Sequence, residues 1–294
     1  MNALRALTEL ARAAARLALF LAGLLVTCML AVALRLVDLF RSQPVERDIW
    51  ACRSFRLVGR AMGWQITVHG QLSDGGNALF IANHISWIDI PALGSIQPLR
   101  FLSKSEVARW PVIGWLARQG GTLFIQRGAR QARAVRENII HRLEQGESIV
   151  IFPEGTTSSG IAVLPMHGLL MSTAGAAGVP IQPVTIGYRR DLRSDALAPF
   201  IGDDTFQGHL WRLLKKAPTR IEIVYHEPVL AEPGQTAAEL TQQVQQVISR
   251  GLADIHAGRY DPPVKPRIRT ADGPGLSHLP SHPGVRQSQG RNTG

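Results

Sequence analysis

The stretch Asn83-His84-Ile85-Ser86-Trp87-Ile88-Asp89 places an imidazole and a carboxylate five residues apart, on a turn that leaves the apolar run 78–82. An aspartate facing one imidazole nitrogen fixes the tautomer. The other nitrogen is then an acceptor that can take a proton from a substrate hydroxyl. Such chemistry needs no side-chain nucleophile. Taken alone, the pair reads more readily as a structural hydrogen bond. A metal site is not indicated, because no second histidine or carboxylate stands at an HExxH-like spacing.

Three further stretches carry potential chemistry. Gly121-Thr122-Leu123-Phe124-Ile125-Gln126-Arg127 ends a strand-like run with an arginine that can fork onto a phosphate or carboxylate; an ordinary surface arginine is the alternative. Phe152-Pro153-Glu154-Gly155-Thr156-Thr157-Ser158 leads a strand into a turn whose backbone N–H groups can face an anion or an oxyanion. Gly155 and Gly160 have P-loop spacing, but Ile161 stands where the lysine belongs, so nucleotide binding is not supported. The absence of a G-x-S-x-G elbow argues against an α/β-hydrolase nucleophile. Val179-Pro180-Ile181-Gln182-Pro183-Val184 by itself suggests only the entry of a buried strand.

In this order and at these separations, the four stretches resemble the four motif blocks of the glycerolipid acyltransferase family, typified by 1-acylglycerol-3-phosphate acyltransferases. The resemblance covers residues 65–230 and is most specific at NHxxxxD and FPEGT. It implies that His84 is the general base and Asp89 its orienter. An acceptor hydroxyl would attack the thioester of an acyl carrier protein or coenzyme A directly, without an acyl-enzyme. Lys104, Gly121, Arg127, Glu154 and Gly155 are implied to bind the acceptor or shape the site, with Lys104 near the acceptor's phosphate. Neither a metal nor a cofactor beyond the acyl thioester is implied. The expected activity is O-acylation of a lysolipid of the 1-acylglycerol-3-phosphate type, such as lysophosphatidic acid.

Two departures open an alternative acceptor. Members that use a glycerol phosphate commonly carry arginine directly after FPEGT and a lysine-rich turn further on; here those places hold Thr157 and Met166-His167-Gly168. A related branch of the family acylates lyso-ornithine lipid, whose head group carries a carboxylate and an amine. Thr157 and the run 198–204 resemble that branch.

These residues need a scaffold and a location. The 294-residue chain is 45% hydrophobic and carries a net charge of +10, enough apolar matter for a sizeable core and a preference for an anionic partner. Its two cysteines, Cys28 and Cys52, indicate neither a disulfide framework nor a zinc site. Residues 17–34 are uncharged and apolar, at the lower edge of the length that spans a bilayer. With the resemblance, this segment predicts a membrane-anchored protein of bacterial inner-membrane type, with a cytoplasmic catalytic domain. The alternative is a signal peptide cleaved near Ala31-Val32-Ala33 that would release a hydrolase. The arginine-rich stretch 44–61 has helical spacing, and predicts a basic helix lying on an anionic membrane surface or packed on the domain.

Strand-like runs at 65–69, 78–82, 100–103, 122–125, 148–152, 181–186 and 220–225 alternate with helical patterns. The alternation predicts an α/β fold with a mixed, largely parallel sheet flanked by helices. Helices are expected over 129–144, where Gly146 supplies a stop, and over 236–256. Residues 1–62 then form the membrane segment and amphipathic helix, 63–261 the acyltransferase domain, and 262–294 a disordered basic tail. The arginines of 129–144 lie off its apolar stripe, so no nucleic-acid site is expected. A basic, non-catalytic lipid-binding protein with the same fold is the rival from another class.

Overall fold

The structure is a computed structural model, and it describes residues 2–72, 77–125, 129–232 and 234–261. The tail expected over 262–294 lies outside the described residues. Among the described residues, eight strands make up the sheet: β1 (Gln65–Gly70), β2 (Leu79–Ala82), β3 (Arg100–Lys104), β4 (Leu123–Ile125), β5 (Ile149–Ile151), β6 (Ile181–Arg190), β7 (Arg193–Ser194) and β8 (Arg220–Tyr225). They run in the order β1-β8-β6-β2-β5-β3-β4, with β7 paired to β6. Every pair from β6 to β4 is parallel; β8 runs antiparallel to β6 and parallel to β1. The mixed, mostly parallel sheet expected from the sequence is therefore present, with the short β7 added.

The central strands read as unbroken apolar runs because both faces are covered. Alternation along β2 divides them: Leu79 and Ile81 point to one face, Phe80 and Ala82 to the other. The first face packs against α5 (Ala129–Glu144) through Ile139 and Leu143, and against α8 (Ala237–His256) through Leu240, Val244 and Ile248. The second receives α2 (Asp48–Met62), α3 (Asp89–Gly94) and α7 (Phe206–Lys215), through Met62, Leu93, Leu210 and Leu214. Each such side chain taken fully out of water stabilises the fold by about 1.5–3 kcal/mol before entropic costs. The helix starts follow local chemistry. Thr236 and Glu239 close a reciprocal capping box at α8, and Thr205 caps α7 through the Gly208 N–H. The short α4 (Ile113–Gln119) and α6 (Ser172–Ala176) complete the layers.

The first helix, α1 (Asn2–Asp38), extends well beyond the uncharged stretch in both directions. Its residues Leu4–Asp38 are long and apolar enough to cross a membrane, with a mean hydropathy of 2.7 in the most apolar window. One stripe of the helix lies on the body. Arg16 donates to the carbonyls of Lys216 (2.7 Å) and Leu214 (3.4 Å) at the end of α7, and Arg35 donates to the Gln119 side chain at 3.0 Å. At Gly23 the missing Cβ lets Leu57 of α2 approach; an added Cβ would stand 3.2 Å from its Cγ. Leu19, Leu25, Met29 and Leu36 remain exposed. The basic helix α2 is docked by its apolar side, where Phe55 packs on Gly94 and Arg56 donates to the Ser95 carbonyl at 2.7 Å.

Candidate active site

Parallel strands end on one edge of a sheet, and loops leaving that edge gather side chains from segments distant in sequence. Here β2 delivers Asn83 and His84 to that edge, and β5 delivers the turn Phe152-Pro153-Glu154-Gly155. The buried Asn83 side chain is bonded both ways to β6, donating to the Ile186 carbonyl at 2.9 Å and accepting its N–H at 2.7 Å. The residue before His84 is thus locked to the neighbouring strand.

Asp89 is the first residue of α3 and is fully buried. Its Oδ2 lies 2.7 Å from His84 Nδ1 and also accepts the N–H groups of Ile85 (2.7 Å) and Ser86 (3.0 Å). Its Oδ1 accepts the hydroxyl of Tyr188, on β6, at 2.5 Å. Four donors on one carboxylate hold it in a single orientation. With Asp89 as the acceptor, His84 Nδ1 carries the proton and Nε2 is an acceptor. Nε2 has no hydrogen-bond partner among the described residues. The ring stacks on Phe152, with centroids 4.2 Å apart, and the side chain retains 18% exposure, so it can be reached from solvent.

Glu154 clamps this turn. Oε1 accepts the His84 N–H at 2.7 Å, and Oε2 accepts the Leu164 N–H at 3.0 Å. Burial pushes its carboxyl above the usual range, against the opposing pull of the two N–H donors. Gly155 follows in the left-handed region, φ 67°, which a side chain would strain. Two residues on, the Thr157 hydroxyl donates to the Phe200 carbonyl. Phe200 N–H in turn bonds the Ile85 carbonyl at 3.0 Å, and Ser158 N–H bonds the His84 carbonyl at 2.8 Å. The segment around 198–200 is thereby laced to the His84 turn and to Thr157 at once.

The structure brings His84, Asp89, Glu154 and Gly155 together. Lys104 is the last residue of β3 and is exposed on the same edge of the sheet. Gly121 is not brought there: it precedes β4, at the opposite end of the strand pair. Its backbone explains it, with φ 73° and a Cβ site only 2.9 Å from the Arg100 guanidinium. Arg127 lies outside the described residues. No group of His, Cys, Asp and Glu able to hold a metal occurs among the described residues. In the turn leading into α4, Trp110 and Val112 are exposed while Gly114, at the start of the helix, is buried.

Sequence reasoning missed Tyr188 and His209, which lie 99 and 122 residues from their partners Asp89 and Trp87. The signal available was a tyrosine in an otherwise buried strand, since a buried phenol needs an acceptor.

The acyltransferase family model matches residues 65–187. Over 192 residues, the chain is 45% identical to the lyso-ornithine lipid O-acyltransferase of Pseudomonas aeruginosa, covering 65% of this chain and 74% of that one. It is 33% identical over 149 residues to the 1-acyl-sn-glycerol-3-phosphate acyltransferase of Neisseria meningitidis serogroup B, covering 50% and 58%. The crystal structure of the 1-acyl-sn-glycerophosphate acyltransferase from Thermotoga maritima superposes with a TM-score of 0.57 at 25% identity, over 84% of this chain and 98% of that one. The chain belongs to the acyltransferase family and is an O-acyltransferase of the lysophospholipid acyltransferase type.

Proposed function

We propose that the protein is a lyso-ornithine lipid O-acyltransferase in which His84 is the general base. The observation that carries the acceptor is the 45% identity over 192 residues to an enzyme of that name, against 33% over 149 residues for a glycerol phosphate enzyme. This reverses the order of acceptors expected from the motifs alone. Thr157 supports the same choice. Where a glycerol phosphate enzyme commonly has an arginine, this side chain is short, uncharged and bonded to the Phe200 carbonyl.

The mechanism follows from the tautomer. Asp89 holds the Nδ1–H, so the Nε2 lone pair of His84 accepts the proton of the acceptor's hydroxyl as its oxygen attacks the thioester carbonyl. A tetrahedral oxyanion forms and collapses, the C–S bond breaks, and the departing thiolate takes the proton back from Nε2. The products are an ester and a free thiol on acyl carrier protein or coenzyme A. Asp89, already saturated by backbone donors, stabilises the transient imidazolium without moving. The acceptor and its product are lipids. The exposed leucines of α1 support anchorage in an inner membrane, with the site on its cytoplasmic face.

Purified protein is given a labelled acyl thioester with lyso-ornithine lipid or, separately, lysophosphatidic acid. Transfer to the former and its loss in His84→Ala are expected. Transfer to lysophosphatidic acid alone overturns the acceptor assignment, and activity in His84→Ala overturns the base.

A further inference from the structure

We infer that Tyr188 is a positioning residue that sets the pH range in which His84 can work, by sharing the charge of Asp89. This rests on the reading of His84 as base and extends the dyad by one buried group.

Tyr188 lies on β6, 3% exposed, and its hydroxyl donates to Asp89 Oδ1 at 2.5 Å. The opposite oxygen, Oδ2, receives His84 Nδ1–H and two backbone N–H groups. All three of those donors crowd one oxygen, so Tyr188 alone engages the other among the described residues. Burial, then the charge of Asp89 and the bond to it, hold the phenol protonated well above its ordinary range, so it remains a donor throughout the working pH. A donor on Oδ1 draws off carboxylate charge that would otherwise be felt at the imidazole. Less charge there means less stabilisation of imidazolium before substrate is attacked, which keeps the Nε2 lone pair available for the acceptor's proton.

The other ionisable groups facing this cluster are few. Glu154 approaches from the turn after β5 and bonds the His84 backbone, acting on both His84 and Asp89 through its charge. Asp195, close after β7, acts on Tyr188. Asp195 is itself bonded to Arg190 and to the Thr219 hydroxyl, so its charge is compensated locally. Neither group replaces a donor on Oδ1, and that gives the phenol a role distinct from packing.

The experiment compares pH profiles of kcat/KM for the parent enzyme, Tyr188→Phe and His84→Ala. In Tyr188→Phe the acid limb is expected to move upward by about half a unit to one unit, with the loss greatest at low pH and small on the alkaline plateau. A purely structural role predicts a uniform loss at every pH, and that result overturns the inference. Site-specific replacement of Tyr188 by 3-fluorotyrosine, a stronger donor of the same shape, is expected to move the limb downward. This second variant decides the matter if Tyr188→Phe does not fold: an unmoved limb, or one moved upward, overturns the inference. His84→Ala separates the two readings. If it stays active the base assignment has failed; if it is inactive while the Tyr188 variants keep the parent profile, only the present inference has failed.

Discussion

Trp87, within the same turn as His84 and Asp89, donates its indole N–H to Nδ1 of His209 across 2.9 Å. His209 is fully buried on α7 and passes its other nitrogen to the Pro199 carbonyl at 3.1 Å. An imidazole that accepts at Nδ1 and donates at Nε2 has to be neutral. Protonation would set two donors against each other and loosen Trp87 from α7.

Stability should therefore fall on acidification. Burial, followed by the nearby Arg212 charge, lowers the tendency of His209 to protonate below its unfolded value; burial does the same for His226. Between the folded and unfolded values the unfolded chain binds more protons, so stability is full above about pH 6.5 and declines below it. Each of these histidines contributes a slope of up to about 1.4 kcal/mol per pH unit in that window. Urea unfolding at pH 7.5 and pH 5.5 measures the decline. His209→Gln should lower stability at pH 7.5 and flatten the decline; an unchanged slope would show that His209 titrates as it does in the unfolded chain.

Asp89→Asn tests the orienter without changing volume. The amide keeps one acceptor oxygen, which the three donors on one side hold, and turns its NH2 toward the Tyr188 hydroxyl, which must then accept. The imidazole then loses the negative charge that stabilises the transient imidazolium. A fall in kcat of about 10²–10⁴ is expected, with a circular dichroism spectrum like that of the parent. A loss of less than tenfold would mean that His84 works without that charge.

Glu154→Gln probes the clamp between the two halves of the site. One of the N–H groups of His84 and Leu164 would meet an amide NH2 in place of a carboxylate oxygen. The expected cost is about 1–3 kcal/mol in urea unfolding, accompanied by reduced turnover. Unchanged stability would indicate that the turn rearranges to restore both bonds.

The sequence exposed those parts of the fold whose causes are local. The strand runs were readable because a strand covered on both faces must be apolar throughout, as at 79–82, and α8 was readable from a stripe that packs on one face. His84 and Asp89 stood out because their contact spans one turn, and Glu154 because FPEGT is a specific block. Short helices escaped: α3 has six residues and α6 five, too few for a periodicity to emerge. Gly121 was implied by a motif, whereas the structure gives it a backbone role beside Arg100. Tyr188 and His209 were invisible for a physical reason. Their partners are brought close only when β6 and α7 dock on the NHxxxxD turn, and a lone tyrosine or histidine in sequence carries no record of that docking.

Thr157→Val asks whether the segment around 198–200 serves the acceptor or the dyad. Valine keeps the shape and removes the hydroxyl that holds the Phe200 carbonyl. The segment keeps its Phe200 N–H bond to Ile85 and the His209 bond to Pro199, so the fold should survive with a loss of about 0.5–1.5 kcal/mol. If the segment forms a wall for the lipid head group, the KM for lyso-ornithine lipid should rise severalfold while kcat and the KM for the acyl thioester hold. A fall in kcat at constant KM would instead assign the segment to support of the His84 turn, through the bond from Phe200 N–H to the Ile85 carbonyl.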